Sequence, residues 1–135
     1  MERIEDLDKL KEIATEITNK SNNRILPEVE IEWANCWGFV AAAMGWRKAY
    51  CWLEDSEMED HLSKHTKPIT PEDASTGDIL VYRHPTSNQL IHTAIVVVPE
   101  QMILHKRGTL PVSAEGPCDE PCYQPSNMSY VRVIE

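Results

Sequence analysis

Asn35-Cys36-Trp37-Gly38-Phe39-Val40-Ala41-Ala42-Ala43-Met44-Gly45 reads as a short helix with a cysteine in its first turn. Asn35 is a good N-cap, Gly45 suits the position just past the C-terminus, and only Gly38 interrupts a run of helix-compatible residues. The run is apolar nearly all round, which places the helix at the centre of the domain. A helix N-terminus carries about half a positive charge and unpaired N–H donors. A thiol there is expected to ionise more easily and to serve as a nucleophile, so Cys36 is the first candidate residue.

Upstream, Ile4, Leu7, Leu10, Ile13, Ala14 and Ile17 recur every three to four residues between charged positions, predicting an amphipathic helix over roughly residues 3 to 20. Downstream, Asp55-Ser56-Glu57-Met58-Glu59 reads as a capping box, with Ser56 as cap and Glu59 reaching back, opening a helix to about Lys64. Pro68 and Pro71 then mark a loop. From Gly77 the period changes. Ile79 to Tyr82, Thr93 to Val98, Met102 to His105 and Tyr130 to Ile134 are short β-branched runs separated by turn residues, the pattern of an antiparallel sheet. Helices first and strands after predict an α+β fold, with N-terminal helices packed on the sheet, in one domain over residues 1–135. Gly77 before Asp78 reads as a turn into a strand, with no chemical role. Arg107 to Asn127, with four prolines and no periodicity, reads as one long loop able to cover a cleft next to His105.

The charge balance narrows the function. Thirteen basic against 22 acidic side chains give a net charge of -9, which argues against nucleic acid and anionic lipid as partners. No apolar run approaches the roughly 20 residues that span a bilayer. The opening Met1-Glu2-Arg3-Ile4-Glu5-Asp6 is acidic where a signal peptide would be basic and then apolar. The expectation is therefore a cytoplasmic protein without membrane insertion, with export by a signal-independent route left open. Four irregularly spaced cysteines fall short of a disulfide framework. Cys118 and Cys122 are the one pair spaced for a bridge or, with His105, His84 or Cys51, for zinc; a single C-x₃-C motif favours no metal. His61 and His65, four apart on the third predicted helix, read as part of an exposed charged face.

A thiol nucleophile needs a base, and the base needs a group that fixes its tautomer. His92 opens the run Thr93 to Val98 and His105 closes the run from Met102. If those runs form a hairpin, both rings lie at the same end of the sheet. A cysteine in an apolar helix is more often a small core residue, and a strand-end histidine more often a surface one. The conjunction of three residue types at three particular positions favours chemistry. Trp33 and Trp37 flank Cys36 closely enough to line a cleft, whereas Trp46 and Trp52 read equally well as core.

In order, Asn35-Cys36-Trp37-Gly38-Phe39-Val40, Thr76-Gly77-Asp78-Ile79-Leu80-Val81-Tyr82, His92-Thr93-Ala94-Ile95-Val96 and Met102-Ile103-Leu104-His105 resemble the motifs of the NlpC/P60 cysteine peptidases, over about residues 33 to 106. The resemblance implies a papain-like α+β fold with Cys36 as nucleophile, His92 as base, His105 as orienting residue and the Cys36 N–H as an oxyanion donor. It implies amide hydrolysis in a peptidoglycan-type peptide through a thioester, with no cofactor, and a cell-wall-derived peptide as partner. An inhibitor or immunity protein is a further partner that such an enzyme would have. The chain departs from the family in having Asn35 and Trp37 where Asp and Ser usually flank the cysteine, and Thr93 after the histidine. The related CHAP amidases share the Cys-then-His order. Two other classes stay open: a non-catalytic binding module on the same fold, and a thiol acyltransferase or deamidase acting on a protein.

Overall fold

The computed structural model describes residues 2–21, 29–117 and 127–134. Three helices come first: α1 (Leu7–Ser21), α2 (Cys36–Ala43) and α3 (Asp55–His65). Six strands follow, with a short 3₁₀ turn (Pro71–Asp73) after the first: β1 (Thr66–Ile69), β2 (Ile79–Arg83), β3 (Leu90–Val98), β4 (Met102–Lys106), β5 (Val112–Glu115) and β6 (Asn127–Val133). They form one sheet in the order β1-β6-β2-β3-β4-β5, antiparallel at every pairing. The α+β expectation is met. Among the described residues no helix is long and apolar enough to cross a membrane.

Strand alternation divides the sheet into two buried faces. Ile79, Val81, Ile95, Val97, Leu104, Val112 and Ala114 pack with Leu10 and Ile17 of α1, Phe39 and Val40 of α2, and Met58 and Leu62 of α3. Leu80, Tyr82, Ala94, Val96, Ile103 and Tyr130 form a second cluster on the reverse face. Both faces being apolar explains why the strands read as near-continuous hydrophobic runs.

Four local expectations are corrected. α1 starts at Leu7 rather than residue 3. Ile4 instead exchanges both backbone hydrogen bonds with Ala114 of β5 (2.7 and 3.0 Å), and the Asp6 carboxylate accepts from the Lys9 N–H to begin the helix. The capping box of α3 lies two residues earlier than predicted: Glu54 is the cap, and the Glu57 side chain accepts from the Glu54 N–H at 3.1 Å. The Pro68 segment forms strand β1 rather than a loop. It is an edge strand, where a residue without an N–H breaks no ladder. The predicted loop from Arg107 to Asn127 contains strand β5, while Cys118 and Cys122 lie outside the described residues, so their pairing does too.

Gly77, at φ +96°, makes the predicted turn into β2. The next residue, Asp78, is structural as expected. Its carboxylate accepts from the Arg132 guanidinium (2.9 and 3.0 Å) and from the Ser75 N–H (2.8 Å), tying β2 to β6 and to the preceding turn.

Candidate active site

Asn35 sets the position of the thiol. Its Oδ1 accepts from the Gly38 N–H (2.9 Å), capping α2, and from the Leu53 N–H (3.2 Å); its Nδ2 donates to the Leu53 carbonyl (2.8 Å). The segment Cys51–Leu53 therefore crosses the first turn of α2, so closely that a Cβ on Gly38 would fall 1.7 Å from the Cys51 carbonyl oxygen. This accounts for asparagine in place of the aspartate usual in the resembled motif. A carboxylate has no donor for the Leu53 carbonyl.

The N-terminus of α2 docks on β3. The Thr93 hydroxyl lies 3.5 Å from the Cys36 carbonyl, and the Cys36 sulphur takes backbone hydrogen bonds from Thr93 and Trp37. The predicted ease of ionisation is reversed. Burial pushes the Cys36 thiol from 9.0 up to about 11, and the backbone hydrogen bonds and the Lys106 charge only partly oppose it. Desolvation of a thiolate outweighs the partial charge of a two-turn helix.

The two histidines are brought together, with a third member that sequence reasoning missed. His92 is the third residue of β3 rather than its opening one. Its side chain alternates away from Thr93 onto the reverse face, 5.3 Å centroid to centroid from Tyr82. His92 Nε2 lies 2.7 Å from His105 Nδ1, and His105 Nε2 lies 2.7 Å from Glu115 Oε2, with all three side chains buried. Register explains the row. His105 of β4 is opposite Ser113 of β5, so Glu115 is its diagonal neighbour on the same face. The sequence signal for Glu115 was the alternation Val112-Ser113-Ala114-Glu115, too short to stand out among the prolines around it.

Glu115 is a carboxylate at all ordinary pH values. Burial alone would raise its pKa, but the His105 hydrogen bond and charge and the Arg3 guanidinium outweigh it, lowering the value from 4.5 to about 2. Arg3 Nε donates to both carboxylate oxygens (3.2 Å each), and Arg107 Nε lies 3.7 Å from one of them. His92 is held well below 6.5, first by burial and then by the His105 and Arg107 charges, so it is a neutral imidazole at rest. An ionised Glu115 only accepts, so His105 carries its proton on Nε2. In the tautomer in which His105 Nδ1 accepts from the His92 Nε2–H, His92 Nδ1 is left as the basic nitrogen.

The tryptophans divide differently from expectation. Trp33 is open to solvent at 81 % exposure, whereas Trp37 is half-buried and packs against the helix-side core. Trp52 is exposed at 57 % rather than core, on the segment that crosses α2. Trp46 stacks on both His61 and His65 at centroid distances of 5.5 and 5.4 Å. That pair is therefore a half-buried aromatic stack and not an exposed charged face. Among the described residues no group of three or more His, Cys, Asp or Glu side chains is placed to hold a metal ion.

No protein-family model matches the chain, and no curated protein matches it. Among solved structures, an NLP/P60-family protein described as similar to lipoprotein, from Staphylococcus aureus subsp. aureus Mu50, is 20% identical, covering 98% of this chain and 43% of that chain at a TM-score of 0.48. This chain thus spans less than half the length of that protein, and similarity at this level assigns neither family nor activity.

Proposed function

We propose that the protein is a thiol hydrolase that cleaves an amide bond, with Cys36 as nucleophile, His92 as general base and then general acid, and His105 and Glu115 fixing the base. The observation that carries this reading is the buried row His92–His105–Glu115 on β3, β4 and β5, beginning at the residue next to the one on which Cys36 docks. Three polar side chains in continuous short hydrogen bonds inside an apolar sheet are costly to bury for structural purposes alone.

The resting site holds a neutral thiol and a neutral imidazole, so proton transfer to His92 accompanies attack of sulphur on the carbonyl carbon. The C–S bond forms as negative charge moves to the carbonyl oxygen, where the Cys36 N–H at the start of α2 is a donor. His92 returns the proton to the leaving nitrogen as the C–N bond breaks. Water then hydrolyses the thioester, with His92 again as base, giving a carboxylic acid and restoring the thiol. The Glu115 carboxylate, through His105, stabilises the imidazolium formed along the way. The motif resemblance supports a peptidoglycan-type peptide as substrate, with the exposed Trp33 offered to it.

The test is digestion of peptide stems released from cell-wall peptidoglycan, followed by mass spectrometry. The expected result is two fragments whose summed mass exceeds the substrate by one water, absent with Cys36→Ala and with His92→Ala. Binding without cleavage would replace this reading with the binding module. Loss of ammonia from a protein substrate would replace it with the deamidase.

A further inference from the structure

We infer that Lys106 is the counter-cation of the Cys36 thiolate, a residue that holds the nucleophile's charged form in a site otherwise too apolar for it. The inference deepens the thiol-hydrolase reading, but it is tested on the sulphur itself and not on turnover.

Lys106 is fully buried, which lysine almost never is unless paired. One of its three ammonium donors reaches the Gly108 carbonyl at 2.8 Å. Among the described residues no carboxylate forms an ion pair with it. A buried ammonium is costly unless an anion shares its surroundings.

The register shows where a group able to become that anion lies. Lys106 is opposite Val112, whose side chain belongs to the helix-side core, so Lys106 faces the helices and not the histidine row. The β3–β4 pairs end at Ile95–Leu104, and counting two residues on from that pair along each strand puts Lys106 and Thr93 on one face. Thr93 is the residue against which Cys36 is docked. The side chains of Lys106 and Thr93 thus lie on the face where the N-terminus of α2 docks, each one residue along its strand from a histidine of the row. The groups around the pair fit this assignment. From β3 the facing residue is the uncharged Thr93, from β5 it is Val112, and from β4 the charge is Lys106 itself. The Lys106 charge lowers the Cys36 thiol, and a Cys36 thiolate would in turn favour the ammonium, against the burial that penalises both.

Adjacent positions on β4 therefore divide the labour. His105 orients the base and Lys106 supports the nucleophile after the base has taken its proton. Removing the cation raises the cost of every thiolate-containing state, in catalysis and in simple alkylation alike.

The test is the rate of Cys36 alkylation by iodoacetamide at pH 8, with the labelled cysteine identified by mass. Lys106→Met is expected to lower the rate by about tenfold, as loss of one nearby unit charge in a poorly screened site requires, and Lys106→Arg to stay within about threefold of the parent. The parent supplies a measure that needs no variant. The ratio of iodoacetate to iodoacetamide rates at Cys36 is expected to be higher in the folded protein than in urea, because a fixed cation draws the anionic reagent. A folded Lys106→Met protein alkylated as fast as the parent, or an equal reagent ratio folded and unfolded, overturns the inference. Lys106-dependent alkylation without wall-peptide cleavage supports the charge pair and counts against the substrate alone.

Discussion

Replacing Glu115 by glutamine removes one charge from the end of the histidine row while leaving an oxygen able to accept from His105 Nε2. The carboxyl of Glu115 lies at about 2 in the folded protein against an ordinary 4.5. A depression of that size corresponds to about 3 kcal/mol of stability at neutral pH, contributed by the His105 and Arg3 interactions. The folded value is below the unfolded one, so the stabilisation is fully present above the unfolded pKa. It is lost as the pH falls from about 4.5 through about 2, with about half remaining near pH 3. Urea denaturation of parent and Glu115→Gln, followed by tryptophan fluorescence at pH 7, 5, 4 and 3, measures this directly. The expected result is a parent more stable by about 3 kcal/mol at pH 7, the difference shrinking steadily below pH 4.5 because only the parent gains a proton there. Equal stability at pH 7, or a gap that stays constant down to pH 3, would refute the assignment of Glu115 as a buried, ion-paired carboxylate. The hydrolase reading adds that the variant loses turnover on the order of tenfold to a hundredfold without losing Cys36 labelling, since the imidazolium forfeits its charge partner.

Three further outcomes follow from the same geometry. Asn35→Ala removes the α2 cap and leaves the buried Leu53 N–H and carbonyl without that partner, so thermal or urea denaturation should show a loss of about 2–4 kcal/mol, while Asn35→Asp, which keeps the acceptor and loses only the donor, should cost less. Gly38→Ala drives a methyl group to within 1.7 Å of the Cys51 carbonyl and should cost more than about 3 kcal/mol or prevent folding, despite alanine's better helix propensity. With its thiol at about 11, Cys36 in the folded parent should alkylate slowly at pH 7 and faster as the pH rises toward 10; a plateau already reached by pH 7 would contradict the buried thiol.

The sequence by itself determined the α+β class, the three helices, the central strands and the order of Cys36, His92 and His105. Each follows from a local rule: apolar period, cap and turn chemistry, and β-branched runs. The position of Asn35 as cap was equally local. Ile4 read as the first turn of a helix because its spacing fits that period, but the chance to pair with Ala114, 110 residues away, decided otherwise. Pro68 read as a loop because two prolines three residues apart, Pro68 and Pro71, argue against a strand; only the position of β1 at the sheet edge makes Pro68 harmless there. The ionisation of Cys36 turned on a balance between helix charge and desolvation, and burial is a property of the whole packing. Glu115 and Lys106 carry no motif. Glu115 gains its meaning from a diagonal neighbour on the adjacent strand, and Lys106 from the face on which β4 presents it, that of Val112 and the helices. Local chemistry is written along the chain, whereas pairing register, edge position and burial arise between distant segments, and those are what the tertiary structure alone decided.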